Sequence, residues 1–547
     1  MSSPFRSSPG RSASPLHQAL RHSPLLAAVG LVLFGATASR AEPPGNEASN
    51  HAARPNAAEL ARRIDARLEA YWEANGLRPA PLADEPTYLR RVSLDLLGRI
   101  PTVAEARAYL DDPDPGKPMR LVESLVDTPA ATRQTAMFWR RTWTPQTDGP
   151  GYSQLAEQFD LWLARQLQTR AGYDALVRSL LSAPARGSGV SQLDRPDLLA
   201  ASFFDAVGES KPEMLAANTA RAFLGLNLDC AQCHDHPFAR WTQDQFWHTA
   251  AFFSRPVPAS DTAPVRLEIA VPETERKLAP KYLSSAAEIP LPEQLGPHTG
   301  RELLGRWVTS PENPYFARNA VNRLWSRFCG AGLIEPLDDL SEDNASPHAA
   351  LLRELTDAFV ASGYDTTYLT RAILLSRPYR LASRPSEAAE AAEPQHFALG
   401  SVRGLTGEQL YDSLCVVAGV PTRLPEETSR QMQADRKQFI VRFHVDRPAQ
   451  ADRSILQALT LMNGQVTSEW THAERSPTVA AALAPFLSEE EAVEMLFLAA
   501  YSRPPLTDEM SPSIAHLRKA QGEGGRRQAL ADIFWALVNS AEFNTNH

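Results

Sequence analysis

The sequence predicts a mainly α-helical, multi-part protein with a short β-containing linker region. Three observations carry that prediction. Apolar residues recur at helical spacing through most of the chain, and helix start and stop signals bracket many of these stretches. β-Prone alternation is confined to one proline-rich segment, residues 256–298.

Taken in order, residues 42–57 are rich in Pro, Ala, Asn and Glu and read as a linker. From Ala58 the apolar positions Leu60, Ile64 and Leu68 recur every four residues, with Tyr71 continuing the stripe. A second helix opens near Pro86, carries Leu89, Val92, Leu96 and Leu97, and is stopped by Gly98 and Pro101. Thr102 and Glu105 form a capping box for a helix through Leu110, and Asp111–Gly116 is a turn. Helical patterns return at Leu121–Val126, Trp139–Trp143, Leu155–Leu167 and Tyr173–Leu181. Ser210-Lys211-Pro212-Glu213 reads as another capping box, whose helix delivers the chain to Cys230. Asp244–Phe253 is an aromatic-faced helix. The piece Val265–Val271 supplies the strand signal within the 256–298 linker. A further helical region runs from Arg301 to Ser383, and a last one over 400–547 is interrupted by Pro- and Asp-rich turns around 421–453. The parts are therefore a leader at 1–41, a linker at 42–57, a helical domain at 58–255, the linker at 256–298 and a second helical domain at 299–547.

Composition narrows the function. The 547 residues are 43% hydrophobic and 22% charged, enough to bury sizeable cores. In the leader, Arg6, Arg11 and Arg21 precede the apolar run Leu25–Ala36 and the small residues up to Ala41, which is an export signal too short for a comfortable membrane span. Its removal leaves 51 basic against 64 acidic residues, a net charge of −13. That balance argues against a nucleic-acid partner. The expectation is an exported protein, periplasmic or extracellular, with no transmembrane span after cleavage. No P-loop, dinucleotide fingerprint, nucleophile elbow or H-E-x-x-H motif is present, and no reaction is assigned.

One stretch concentrates chemistry: Asp229-Cys230-Ala231-Gln232-Cys233-His234-Asp235-His236. C-x-x-C-H is the attachment signature of c-type haem, in which two thiols form thioethers and the histidine ligates iron. On this reading Cys230 and Cys233 attach the group and His234 is the axial ligand. A sixth ligand would come from His248 or, less directly, from Met214 or Met462. A second chemistry is zinc held by Cys230 and Cys233 with His236 and His248, since His234 is adjacent to a cysteine ligand and fits less well. A third is a Cys230–Cys233 disulfide or buried thiols, with the histidines hydrogen-bonded at a helix end. Asp235 would orient a histidine or cap the next turn. Trp241, Phe246, Trp247, Phe252 and Phe253 would wall a haem edge or fill a core.

Two long segments resemble a known pair of domains. Leu89–Thr102 and Gly225–Trp241 with Ala251-Phe252-Phe253 are similar to the first of two paired domains of unknown function found in exported planctomycete proteins, a domain labelled cytochrome C type. Asn313–Arg318, Asn322–Trp325, Gly332–Asp339, Leu456–Gly464 and Phe534–Phe543 resemble its companion. The resemblance implies relatives rather than a reaction. It departs from the family where the usual Asn-Pro-Pro-Ser-His-Pro run reads Asn344-Ala345-Ser346-Pro347-His348. In the companion segment, Asn322-Arg323 and Asp338-Asp339 would line a ligand pocket or form an internal Arg–Asp brace between helices. Cys329 and Cys415 read as core thiols, with a pairing between them as the alternative. The functional expectation is a haem-c redox component with an unknown redox or protein partner. The alternative is a non-redox exported protein that binds polysaccharide or a protein partner and carries structural zinc or a disulfide at the same motif.

Overall fold

A computed structural model describes residues 56–149, 151–183, 199–208, 211–237, 239–258, 265–283, 289–292, 294–296, 298–341, 344–384, 393–420, 430–443 and 455–547. The leader at 1–41 and the capping residue Ser210 lie outside them. The protein is mainly α-helical, with three two-residue strand pairs among the described residues.

Local sequence sets many helix boundaries. Asn56 accepts hydrogen bonds from the backbone of Ala58 and Glu59 at 3.0 and 3.4 Å and opens helix Ala57–Ala74. That helix buries Leu60, Ile64 and Leu68, and Trp72 rather than Tyr71 carries the stripe inward. Tyr71 stays at the margin, where its hydroxyl lies 2.8 Å from His396 Nδ1. Asp84 caps helix Glu85–Leu97, and Gly98 ends it at a φ of 71°. Complete capping boxes occur at Thr102/Glu105, Thr242/Gln245, Thr406/Gln409 and Ser488/Glu491. The stretch read as turns around 421–453 holds a helix, Arg430–Arg442. Its arginines, glutamines, lysine and methionine are good helix formers, and Phe439 and Phe443, four residues apart, bury one side.

The β-prone piece divides between two antiparallel pairs. Val265–Arg266 pairs with Val257–Pro258, and Ile269–Ala270 pairs with Lys277–Leu278. A third pair joins Arg403–Gly404 to Thr545–Asn546.

Two hydrophobic cores organise the helices. The larger draws on residues from Leu60 to Ala398, with Leu498, and so takes side chains from both sides of the 256–298 segment. Helix Ala57–Ala74 packs on Thr366–Leu375, and Tyr173–Leu181 packs on Thr299–Val308. The smaller core lies mostly between Leu405 and Phe543, joined by Leu94 and Ile100. Helix Glu85–Leu97 thus lies between the two, and every residue from Tyr88 to Leu96 is buried.

Burying Arg90, Arg91 and Asp95 is tolerable only because each finds partners. Arg90 donates to the carbonyls of Ala500 at 3.0 Å and Phe543 at 2.8 Å. Arg91 donates to Tyr379 O, to Leu381 O at 3.0 Å and to His547 O at 3.2 Å. Asp95 accepts from Arg403 at 2.8 Å, Tyr379 Oη at 2.8 Å and Asn546 Nδ2 at 2.9 Å. The segment Leu89–Thr102 that carries the family resemblance therefore works here as a clasp between the two cores. Cys329 and Cys415 are unpaired thiols, Cys415 buried and Cys329 half-buried; desolvation raises both, Cys415 to about 12. Among the described residues no helix is long and apolar enough to cross a membrane.

Candidate functional site

The Cys-x-x-Cys-His stretch is reached through a tightly fitted bend. Helix Pro212–Thr219 widens into a π turn, Ala220–Leu224, and Gly225 ends it at a φ of 66°. A β carbon on Gly225 would lie 2.7 Å from Leu340 Cδ1 and 2.8 Å from Asn319 Oδ1. Glycine is therefore needed both for the left-handed backbone and for the close approach of the neighbouring chain. That approach is stitched by Leu340 N donating to Gly225 O at 2.9 Å and by a bridge between Leu226 and Asp339.

Beyond the bend, Asp229–Gln232 form a 3₁₀ turn. Leu226, Leu228 and Ala231 point into the core, at 1% exposure or less, and by that anchoring they turn Cys230, Cys233 and His234 outward. Both cysteines are exposed and unpaired. The turn is held from behind by helix Gln243–Ala250: Trp247 Nε1 donates to Gln232 O at 3.1 Å, and Gln243 Nε2 donates to Cys233 O at 2.9 Å. Asp235 Oδ1 accepts from Gln243 N at 2.8 Å, which makes Asp235 a cap on that helix.

The three histidines point to different partners. His234 Nδ1 lies 2.7 Å from Asp235 O. A carbonyl only accepts, so Nδ1 carries the hydrogen and Nε2 keeps its lone pair. His248 repeats the pattern, with Nδ1 2.6 Å from Ala279 O. His236 instead lines a cleft with Asp338 and Asp339. Among the described residues no three His, Cys, Asp or Glu side chains converge as a metal-ligand set. The tetrad of Cys230, Cys233, His236 and His248 is thus not brought together. Met214 and Met462 are both largely exposed. Trp241, Phe246, Trp247, Phe252 and Phe253 are all buried in the larger core, so these aromatics fill the interior behind the turn.

The companion segment divides its polar residues. Asn322 is fully buried and pins Ile334 in both directions, donating to its carbonyl at 2.8 Å and accepting from its N–H at 3.0 Å. Arg323 braces Asn319 Oδ1 at 2.9 Å and Arg221 O at 2.9 Å, tying the second segment to the π turn. Asp338 and Asp339 reach the cleft, together with Asn227, Ser341 and Asn344. In place of the expected Arg–Asp brace, Arg323 thus bonds one side-chain amide oxygen and one backbone carbonyl. The cleft role of the last three residues, and the part Gln243 and Trp247 play in fixing the turn, were not legible in the sequence, because they depend on which atoms the fold sets beside them.

The residues present fit c-type haem in donor chemistry: two accessible thiols and an imidazole whose Nδ1–H is already bound, on one short fixed turn.

The fold and this turn define a mainly helical protein of two joined segments with a cysteine–histidine turn beside their junction. Residues 63–256 match the family model PSCyt2, described as a protein of unknown function (DUF1549), and residues 300–454 match PSD1, a protein of unknown function (DUF1553). The chain belongs to the family that pairs these two domains. No curated protein and no solved structure matches it.

Proposed function

We propose that the protein is an exported redox or electron-transfer component carrying c-type haem at the Cys230–His234 turn. The observation that supports it is the accessible trio of Cys230, Cys233 and His234, with His234 Nδ1–H donated to Asp235 O. Cys230 and Cys233 would hold the group through thioethers, and His234 Nε2 would ligate its iron. When bound, haem supplies one-electron exchange at iron. The chain's own contribution is positional and electrostatic. Gln243 and Trp247 fix the backbone of the turn, and the Asp235 carbonyl sets the His234 tautomer and ring orientation. Exposed Asp229 and Asp235 set negative charge beside the turn, which favours the oxidised state. His248, with its Nδ1–H bound to Ala279 O and its helix packed behind the turn, would be the first choice for a second histidine donor.

The test is intact mass and visible absorption of the chain exported by a host competent in cytochrome c maturation. The expected result is a gain of roughly 616 Da with a Soret band, both lost in the Cys230→Ala/Cys233→Ala variant. A colourless product at apoprotein mass, beside a matured control, overturns the proposal. Metal analysis and thiol titration then separate a zinc site from a disulfide.

A further inference from the structure

A cleft beside the motif turn is lined by residues of both family-matched segments. Leu226, Asn227, His236, Ala239 and Trp241 line it from the first segment, and Pro336, Asp338, Asp339, Ser341 and Asn344 from the second, around a volume of about 410 Å³. That lies within the range of small-molecule sites. Nothing in the haem reading uses it.

Its lining combines acceptors, donors and apolar surface. The half-buried Asp338 carboxylate receives no hydrogen bond from a described residue and feels the buried Arg323 charge. Asp339 Oδ1 accepts from Ser341 Oγ at 2.6 Å, which leaves its second oxygen for another donor. Asn227 spends Oδ1 on Asp229 N at 3.1 Å and keeps its amide N–H groups. Leu226, Ala239, Trp241 and Pro336 supply the apolar wall.

An acid is disfavoured here by two carboxylates, because Arg323 is occupied by Asn319 and the Arg221 backbone. A polyamine would gain less than two bare carboxylates offer, since Arg323 offsets Asp338 and Ser341 already donates to Asp339. A ring with hydroxyls on its rim and C–H faces matches all three kinds of lining. We infer that this interdomain cleft binds a neutral saccharide, with Asp338 and Asp339 accepting its hydroxyls and Asn227 donating to a ring or hydroxyl oxygen. The site is independent of haem.

The test is calorimetry and saturation-transfer NMR on the full exported chain. The probes are glucose, galactose, mannose, N-acetylglucosamine and cellobiose, with spermidine and citrate for comparison. At least one saccharide is expected to bind, with affinity lowered about tenfold or more by Asp338→Ala and less by Asp338→Asn, at unchanged melting temperature. Binding should persist in the Cys230→Ala/Cys233→Ala variant, which separates this site from the motif turn. Four results overturn the inference: no saccharide bound at about 20 mM, spermidine or citrate bound instead, affinity insensitive to both Asp338 variants, or binding lost with the cysteines. Should Asp338→Ala lower the melting temperature, Asp338→Asn alone decides the point.

Discussion

At the scale of single residues, charge pairing in this protein is decided by burial. Helix Pro129–Trp143 ends in Arg140 and Arg141, which meet three carboxylates. Arg140 donates to Asp160 at 2.9 Å and Asp148 at 2.8 Å, and Arg141 donates to Glu408 at 2.6 Å. Two cations facing three anions leave one carboxyl poorly compensated. Glu408, although buried, is held down to about 2 by the Arg141 charge and hydrogen bond. Asp160 is pushed up to about 6, first by burial and also by the Glu408 charge, against the opposing pull of both arginines. The folded protein therefore keeps the Asp160 proton to higher pH than the unfolded chain. This group's contribution is fully present below about pH 4 and is lost as pH rises through about 6. Replacing Asp160 with Asn, which keeps an acceptor for Arg140, should remove that loss. Urea unfolding at about pH 4.5 and about pH 7 should show the variant gaining about 1–2 kcal/mol over the native chain between the two, a figure tempered by the roughly one-quarter exposure of the side chain. An equal pH dependence in both proteins would contradict the assignment.

At the scale of elements, local signals were readable wherever a helix start is made by its own neighbours. Thr102 and Glu105 close a capping box within four residues, and the pattern is visible in the string. Gly225 shows the opposite case. Its glycine stands between a helical run and the motif, yet the reason for it lies at Leu340 and Asn319, roughly a hundred positions away. Gly225→Ala should cost about 1–3 kcal/mol in stability, from the left-handed backbone and the displaced neighbours. It should also perturb the cleft, because the Leu226–Asp339 bridge lies beside it. Thermal unfolding together with the amide spectrum of 226–241 and 336–344 checks both effects. A fully native-like variant would show that the approach is looser than the geometry indicates.

At the scale of the whole molecule, the decisive piece is the buried helix Glu85–Leu97. Asp95 gathers Arg403, Tyr379 and Asn546, residues from three later parts of the chain. Asp95→Ala leaves the largely enclosed Arg403 guanidinium beside a cavity without its carboxylate and with the Arg327 carbonyl as its remaining partner, and it should destabilise the fold by about 3–5 kcal/mol. Chemical unfolding with both aromatic fluorescence and helical circular dichroism is the measurement. A loss below about 1 kcal/mol would mean that water or another acceptor replaces the carboxylate. In the sequence, Arg90, Arg91 and Asp95 were polar interruptions of a helix carrying a family resemblance. Their work as a clasp was not legible, because the carbonyls and amides they satisfy come from residues 379–547.

Legible in the residue string were the mainly helical class, two of the three strand pairs among the described residues, the paired-domain family and the stretch where cysteine and histidine chemistry is concentrated; the pair of Arg403–Gly404 with Thr545–Asn546 was not. Each of these depends on nearest neighbours or on a fixed spacing along the chain. Only the tertiary structure decided that Cys230, Cys233 and His234 face outward while His236 turns into a cleft and His248 bonds the 279 carbonyl. It also decided that Asn322 and Arg323 are braces and that Asp338 and Asp339 line the cleft. The physical reason is common to all of them. A polar side chain's role is set by the partners that desolvation leaves within hydrogen-bond reach, and those partners are chosen by packing between segments far apart in the chain.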